Sequence, residues 1–320
     1  MTTHRTLIMN QENIKYLENF RHRLKSRNYA DRTIELYVHN VKKFLKLTEK
    51  PIHELRANEL ELMWIEIKSG RAKNTQRGMQ ICYRQFFDEL KILYPGTPNI
   101  FKNQISIKEE IIEPNIPDHK DVLKITMTAL VPHNDEPISN FIAQRNAAVV
   151  VFLADTGLRI SECCLVKFGD IITRDDRFEV NVPMIKDSPG RVVPFGFLNK
   201  GALVGEVFTK YYLTLKHVYS ARISDPLFPT TKDQLNILQD VHISKNGMWQ
   251  MIKKVSKRAG YNDIHPHIFR HYYGTYSHIN GTKLKALAYL MGHRTVTTTE
   301  RYIHIADMMN HKAFNSLHTN

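Results

Sequence analysis

The sequence predicts a mostly α-helical protein of two domains, with one small antiparallel β-hairpin in the second domain. In the first hundred of its 320 residues, apolar side chains recur at the spacing of helices. Between Pro95 and Pro117 this pattern fails, and four prolines among polar residues indicate a linker. Apolar and polar residues alternate over 178–184, next to turn residues, which indicates the hairpin. The predicted fold class is therefore α+β with helices dominant.

The predicted first domain covers residues 1–98 and holds four short helices. Asp31 is placed to cap the second helix, Asn58 opens the third, and Asn74 or Thr75 opens the fourth. Helical spacing gives each helix one inward face. The inward residues are Ile14, Leu17, Phe20 and Leu24; Ile34, Tyr37, Val38, Val41, Phe44 and Leu45; Leu60 and Trp64; and Met79, Cys82, Phe86, Leu90 and Leu93.

The predicted second domain, 118–305, follows a linker of residues 99–117. It opens with helices, one of which carries the apolar run AAVVVFLADTGL. The hairpin then consists of the alternating strand 178–184, the turn residues Asp-Ser-Pro-Gly at 187–190, and a second strand that starts at Arg191. Helical patterns resume after the hairpin and continue to the end of the chain.

The charge balance favours a polyanionic partner. Lys and Arg number 45 against 32 Asp and Glu, a formal net charge of +13, and nucleic acid is the commonest polyanion that such proteins bind. The fourth helix has basic residues on its polar face, so the first domain is a candidate DNA-binding module. Solvated surface helices would show the same pattern. The candidate DNA contacts are Lys73, Thr75, Arg77 and Arg84.

Composition also excludes several classes of protein. The three cysteines, Cys82, Cys163 and Cys164, are odd in number and two are adjacent, which excludes a disulfide framework. The longest apolar run, 147–154, has eight residues, whereas a membrane-spanning helix needs about 20. The N-terminus lacks the sustained apolar segment of a secretion signal. We therefore expect a cytoplasmic protein with no membrane partner.

A histidine-rich segment, HPHIFRHYYGTYSH, lies at residues 265–278. His267 and His271 are four residues apart, as in some helical metal sites. However, Ile268 stands where a zinc protease would have Glu, and Arg270 would place a fixed positive charge next to the metal. A structural histidine cluster is one alternative. In another, His267 and Arg270 share a helical face and donate to a phosphate. We expect no metal.

Four motifs in this order resemble the tyrosine recombinase, or phage integrase, family. DTGLRISE resembles its first arginine box, HPHIFRH its His-x-x-Arg box, and LMGHRTVTTTERY its Gly-His and tyrosine boxes. MIKDSPGRVVPF resembles its β-hairpin, with Lys186 matching the lysine before the turn. HPHIFRH departs from the pattern in having Ile-Phe where Asp/Thr-Leu is common. The resemblance covers about 118–305, and the helical module resembles, more loosely, the family's core-site-binding domain; together they imply the tyrosine recombinase fold.

The resemblance implies a catalytic set drawn from these motifs. Tyr302 would attack a DNA phosphodiester and form a 3′-phosphotyrosine, which stores the bond energy for rejoining. Two arginines would clamp the non-bridging oxygens, two histidines would assist proton movement, and a lysine would protonate the departing 5′-oxygen. Hairpin length varies in the family, and Arg191 lies in the same hairpin as the lysine. In chain order, the set comprises Arg159, Lys186, His267, Arg270, His293 and Tyr302.

A supporting role falls to Glu162, one turn after Arg159. It matches the acidic residue of the first box and would orient an arginine or a histidine; an ordinary surface glutamate is the alternative. Because two guanidiniums supply the positive charge, the resemblance implies no metal and no cofactor. In the family, a C-terminal segment docks into a neighbouring subunit, and residues 306–320 have the helical apolar spacing expected of such a tail.

The implied function is a site-specific DNA recombinase that integrates, excises or resolves a mobile element. The implied partners are double-stranded DNA with an inverted-repeat core site and three further copies of the chain. Four copies would act together on two DNA sites, and the protein would be a monomer or dimer in the absence of DNA. It would be located in the cytoplasm and, when bound to DNA, on the nucleoid. Alternatives are an Xer-like chromosome or plasmid dimer resolvase, a type IB topoisomerase-like enzyme, a non-catalytic DNA-binding regulator and a metal-dependent nuclease.

Overall fold

The computed structural model describes residues 9–102, 104–110, 114–175, 177–185, 188–196, 202–231 and 241–317. The chain divides into two compact units, Met1–Ile112 and Glu113–Asn320, each with its own hydrophobic core. Among the described residues, helices dominate and the only sheet has three strands. This confirms the predicted fold class. None of the described helices has the length and apolar character that crossing a membrane requires.

In the described part of the first unit, four α-helices surround an aromatic and aliphatic core. Glu59 accepts a hydrogen bond from the backbone N–H of the cap residue Arg56 at 2.9 Å, and the third helix begins at Ala57, one residue before Asn58. Ala30 occupies the cap position predicted for Asp31, which is the first helical residue. Leu93 is 47% exposed rather than inward, because the fourth helix ends there, beyond the core. The helices are α1 Gln11–Ser26, α2 Asp31–Leu45, α3 Ala57–Lys68 and α4 Lys73–Leu93, with a 3-10 turn at Ile52–Glu54.

The first part of the predicted linker packs along α4 instead of leaving the helical unit. Phe101 is fully buried in the core of this unit. Asn74 exchanges two hydrogen bonds with the backbone of Glu110, at 2.8 and 2.9 Å. Gln80 accepts from the N–H of Ile107 at 3.0 Å. The side chains of α4 thus satisfy backbone groups of an extended segment, which explains why this segment follows the helix without forming secondary structure.

In the second unit, helices surround a small antiparallel sheet. β2 and β3 form the predicted hairpin, in which Val180 pairs with Val193, and β1 pairs with β2 on the other side. Val180 and Val182 are buried, as their alternation predicts, whereas Met184 lies beyond the strand and is 81% exposed. The strands are β1 Ile171–Thr173, β2 Phe178–Val182 and β3 Arg191–Phe195.

The helices of the second unit bring the sequence motifs together. α10 contacts both α6 and α12, and α11 contacts β3. α12 runs from Thr297 through the predicted tail to Leu317 without a break, so the tail continues the helix that carries Tyr302. The helices are α5 His119–Ala129, α6 Pro137–Thr156, α7 Ile160–Cys163, α8 Ala202–Leu213, α9 Lys245–Arg258, α10 Pro266–Ile279, α11 Leu284–Met291 and α12 Thr297–Leu317, with a 3-10 turn at Phe168–Asp170 and a π-helical turn at Thr214–Val218.

Candidate active site

Two arginines from distant parts of the sequence are anchored on the same backbone segments. Gly157 ends α6 in the left-handed conformation, with φ of 60°, and its carbonyl accepts from Nη1 of Arg270 at 2.7 Å. Nη2 of Arg270 donates to the carbonyl of Met291 at 2.6 Å. Arg159 donates from Nη2 to the carbonyl of Gly292 at 3.2 Å. The 157–159 turn, α10 and the end of α11 therefore fix both guanidiniums in one place.

Glu162 is fully buried beside these arginines, which excludes the surface alternative. Its carboxylate accepts hydrogen bonds from both Nη atoms of Arg191, each at 3.0 Å, and from the backbone N–H of Arg159 at 2.7 Å. Burial alone would raise the pKa of Glu162, but the hydrogen bonds and charge of Arg191, with further hydrogen bonds from Ser188 and the Arg159 backbone, lower it to about 2. Glu162 is therefore ionised at neutral pH.

The sequence did not identify Arg191 as the partner of Glu162. Arg191 is the first residue of β3 and lies on the same strand face as the buried Val193 and Phe195. That alternation is the signal that could have identified it, because a buried arginine on a strand needs an acidic partner. Arg191 lies in the same hairpin as Lys186, which made it an alternative candidate for the general acid. Because Arg191 is enclosed in the protein, it is not available to a substrate.

Gly292 allows the loop after α11 to approach the hairpin closely. A Cβ at this position would lie 2.5 Å from the hydroxyl of Ser188 and 2.7 Å from Nη1 of Arg191, and φ is +64°. Only glycine accommodates both conditions. The next residue, His293, is half-buried, and its Nδ1 lies 2.8 Å from the hydroxyl of Thr299 in α12. This contact joins the loop to the helix that carries Tyr302.

Tyr302 is 2% exposed and lies against the backbone of α10. A Cβ on Gly274 would lie 2.7 to 2.8 Å from three carbons of the Tyr302 ring. The ring of His293 is parallel to the Tyr302 ring within 3°, with centroids 6.3 Å apart, and the ring of His271 is 5.8 Å away. The positive charge of Arg270 is near enough to lower the pKa of the Tyr302 phenol, against the larger effect of burial. The structure thus brings the tyrosine, histidine and arginine motifs together.

The protonation states in this cluster follow from burial among positive charges. Burial raises the pKa of Tyr302, and Arg270 opposes this without reversing it, so the phenol is neutral at pH 7. Burial and nearby arginines lower the pKa of His293 and of His271 to about 4. The pKa of His267, which is exposed on one side, is lowered by partial burial, Arg270 and Arg159. These three imidazoles are therefore neutral at pH 7 and can accept a proton.

The histidines of 265–278 are not grouped as metal ligands in the described structure. Within the described parts of the chain, no group of three or more His, Cys, Asp or Glu side chains is arranged to hold a metal ion. Nδ1 of His271 is buried and has no hydrogen-bond partner among those residues.

Lys186, which the resemblance makes the general acid, lies outside the described residues. Its neighbours Ile185 and Ser188 exchange two backbone hydrogen bonds, at 2.8 and 3.1 Å.

Three of the four predicted DNA contacts on α4 already have partners within the first unit. Lys73 lies 3.9 Å from a carboxylate oxygen of Glu110, and Arg77 lies 3.3 Å from one of Glu109. Arg84 donates from Nε to the carbonyl of Phe101 at 2.9 Å. Thr75, in the first turn of α4, is exposed. The basic face of α4 is therefore the face that contacts Phe101, Glu109 and Glu110.

Comparisons with known families identify both units. Residues 126–309, more than half of the chain, match the family described as "Phage integrase family". Residues 16–93 match the family described as "Phage integrase, N-terminal SAM-like domain". The two matches correspond to the second and first units, respectively.

Individual proteins agree with these matches. The chain is 30% identical to tyrosine recombinase XerD of Corynebacterium glutamicum over 58% of its own length and 57% of that protein's. It is 25% identical to tyrosine recombinase XerC of Anoxybacillus flavithermus over 87% of its length and 89% of that protein's. The chain thus spans just over half of the first relative and nearly all of the second. A crystal structure of XerH site-specific recombinase on palindromic difH, a post-cleavage complex, has the same fold at 15% identity, with a TM-score of 0.68 over 98% of this chain and 90% of that one.

Proposed function

Because the chain belongs to the phage integrase family of tyrosine recombinases, which are DNA strand-transferring enzymes, we propose that it cuts and rejoins DNA through a 3′-phosphotyrosine at Tyr302. One observation carries this proposal. The buried Tyr302 lies beside His293, and the positive charges of Arg270 and Arg159 are near enough to act on its phenol. A nucleophile, two fixed cations and neutral imidazoles are the groups that metal-independent phosphoryl transfer needs.

In the cleavage step, the Tyr302 oxygen attacks phosphorus and the bond to the 5′-oxygen breaks. Negative charge grows on the non-bridging oxygens, where Arg159 and Arg270 stabilise it through their remaining N–H groups. Their anchoring on backbone carbonyls orients them before substrate binds, so little reorganisation is needed during the reaction. Loss of either guanidinium is expected to slow cleavage by about 10²–10³-fold.

Two proton transfers accompany this step. The phenol proton of Tyr302 must leave, and His293 and His267 are neutral at pH 7 and can assist its movement. The departing 5′-oxygen must gain a proton, and we assign this role to Lys186. In rejoining, the 5′-hydroxyl attacks the phosphotyrosine and the same protons move back, so no nucleotide or metal is consumed.

The proposed substrate is duplex DNA with an inverted-repeat core site, and the proposed assembly is a tetramer on two such sites. Recombination joins two duplexes, so four active sites must be coordinated. We assign the tail, 306–320, to docking on a neighbouring subunit; because α12 is continuous, displacement of the tail would act directly on Tyr302. Such a substrate implies action in the cytoplasm and association with the nucleoid.

For the biological role, we propose integration, excision or resolution of a mobile element. Dimer resolution of a chromosome or plasmid is a second candidate, which the alignment with XerC over 89% of its length favours. The two roles differ in where the core site lies. The core site can be identified by selecting the inverted repeats that the protein binds from a random pool. Its location in the genome then distinguishes the roles: a site at the ends of an element indicates a mobile element, and a single site per replicon indicates dimer resolution.

The phosphotyrosine is tested with a nicked suicide substrate made from that enriched site. Wild-type protein should form a covalent protein–DNA adduct, visible on a denaturing gel, whereas Tyr302→Phe should bind the DNA equally and form none. Tyr273→Phe is the matched control, because Tyr273 is a buried tyrosine of the same small cluster; it should form the adduct. An adduct with Tyr302→Phe, or its absence with wild-type protein on a bound site, would contradict the proposal.

A further inference from the structure

The guanidinium of Arg191 is fully buried between three segments of the second unit. Nε donates to the carbonyl of Leu290 at 2.7 Å, and Nη1 donates to the hydroxyl of Ser188 at 3.1 Å. Both Nη atoms donate to Glu162 at 3.0 Å. Every nitrogen of Arg191 thus has an acceptor inside the protein. Any influence of this residue on a DNA phosphate must therefore act through other residues.

Glu162 transmits such an influence to Arg159, because each of its oxygens contacts both arginines. Oε1 lies 3.0 Å from Nη1 of Arg191 and 3.3 Å from Nη1 of Arg159. Oε2 lies 3.0 Å from Nη2 of Arg191 and 2.7 Å from the backbone nitrogen of Arg159. A two-point contact with a planar guanidinium prevents rotation of the carboxylate. The direction of the Arg159 side chain therefore depends on the Arg191–Glu162 pair.

Ser188 provides a second connection between the two arginines. Its hydroxyl oxygen accepts from Nη1 of Arg159 and from Nη1 of Arg191, each at 3.1 Å. The same Arg191 nitrogen lies only 2.7 Å from the position that a Cβ on Gly292 would take, so the arginine also limits how closely the loop before His293 approaches the hairpin. The side chain of Arg191, the first residue of β3, therefore contacts α7 through Glu162, the hairpin through Ser188 and the end of α11 through Leu290.

The charges around Glu162 also make the position of Arg159 depend on Arg191. Glu162 carries one negative charge beside Arg159, Arg191 and Arg270. With Arg191 present, the carboxylate is neutralised by a residue that has no other ionic partner among the described side chains. Without it, the carboxylate would pair with Arg159 alone, which would draw that guanidinium and its field away from the phosphate.

We propose that Arg191 is a positioning residue for strand cleavage: through Glu162 and Ser188 it orients Arg159 toward the scissile phosphate. This proposal rests on the phosphotyrosine chemistry above and adds a residue that does not contact the substrate. Arg191→Lys keeps the positive charge but offers one donor group instead of a planar pair. We expect it to slow single-turnover cleavage by about 10–100-fold, as expected for a catalytic group displaced by up to about 1 Å.

A double-mutant cycle with Arg159→Ala separates positioning from a merely structural role. If Arg191 acts through Arg159, Arg191→Lys should have less than about a twofold effect on cleavage when Arg159 is already alanine. DNA affinity should stay within about twofold in all four proteins, because the altered residues orient or stabilise the reacting phosphate and do not read the site. Arg145→Lys is the matched control, since Arg145 is a buried arginine of the same unit that donates to the carbonyl of Pro229; it should cleave at the wild-type rate.

Equal losses in both backgrounds would overturn the proposal and show a structural role, and wild-type cleavage by Arg191→Lys would overturn it directly. If Arg191→Lys does not fold, the pair Glu162→Met with Arg191→Met replaces both charges, a change that buried ion pairs often tolerate. That double variant should fold and still cleave at least about tenfold more slowly; cleavage at the wild-type rate would overturn the proposal. Failure of the proposed function is distinguishable, because it appears either as no adduct with wild-type protein on a bound site or as an adduct that does not depend on Tyr302.

Discussion

Replacing Gly274 with alanine should displace the nucleophile while leaving the chemical identity of every reacting group unchanged. Gly274 lies in the middle of α10, where a glycine-to-alanine change normally stabilises a helix by about 0.5–1 kcal/mol. Here the new methyl group would lie 2.7 Å from Cε1 and 2.8 Å from Cδ1 and Cζ of Tyr302. Ordinary contacts between carbons are about 3.5–4.0 Å, so the ring must move by about 1 Å.

The size of the effect follows from that displacement. A misplacement of about 1 Å can cost about 10²-fold in rate, because attack requires the oxygen to be in line with the breaking bond. Tyr302 is held between Gly274 and neighbouring aromatic rings, and α12 packs against α10. The ring therefore cannot return to its place by a simple rotation. We expect Gly274→Ala to reduce single-turnover adduct formation by about 10²-fold.

The assay combines three measurements on the same protein preparation: adduct formation on the nicked substrate, DNA affinity, and thermal unfolding. Gly205→Ala is the matched control, since Gly205 lies in a helix of the same unit and a Cβ there meets no heavy atom within 4 Å among the described residues. It should cleave at the wild-type rate. A folded Gly274→Ala protein that binds DNA and forms adduct as fast as wild-type protein would refute the reasoning.

Three further predictions concern stability, binding and assembly. Glu162→Gln should lower the free energy of unfolding at pH 7 by about 3–5 kcal/mol, because Arg191 would remain buried without an ionised partner. The pKa of Glu162 is about 2 in the folded protein against 4.5 for a free carboxyl, so urea titrations should show the difference between the two proteins shrinking as the pH falls from 4.5 to 2. A difference that stays constant with pH would contradict the assignment. If Arg77 binds a DNA phosphate, Arg77→Ala should weaken binding and flatten its salt dependence, whereas Glu109→Gln, which releases Arg77 from its ion pair, should strengthen binding; unchanged salt slopes for both would place the DNA face elsewhere on the first unit. Ending the chain after Met309 should leave single-site binding and cleavage intact but abolish exchange between two sites, and undiminished exchange would show that the tail carries no coupling.

Local patterns in the sequence were sufficient for most of the fold. The four helices of the first unit and the hairpin of the second follow from the spacing of apolar residues, which depends only on the geometry of a single helix or strand. The same rule was wrong at Leu93, because periodicity continues to the last turn of a helix whether or not the core does. Local pattern also placed Arg159 at a turn entering a helix and His267 with Arg270 on one helical face, and the resemblance to the family related them to Tyr302.

Only the tertiary structure decided which of these groups contact one another. Arg191 and Glu162 are 29 residues apart, and no local rule links a residue at the start of a strand to one in a short helix. Likewise, periodicity put Arg77 and Arg84 on one face of α4, but it carried no information on the segment that covers this face. The physical reason is the same in both cases. Spacing along one element is set by its own backbone, whereas an ion pair across elements depends on how those elements pack.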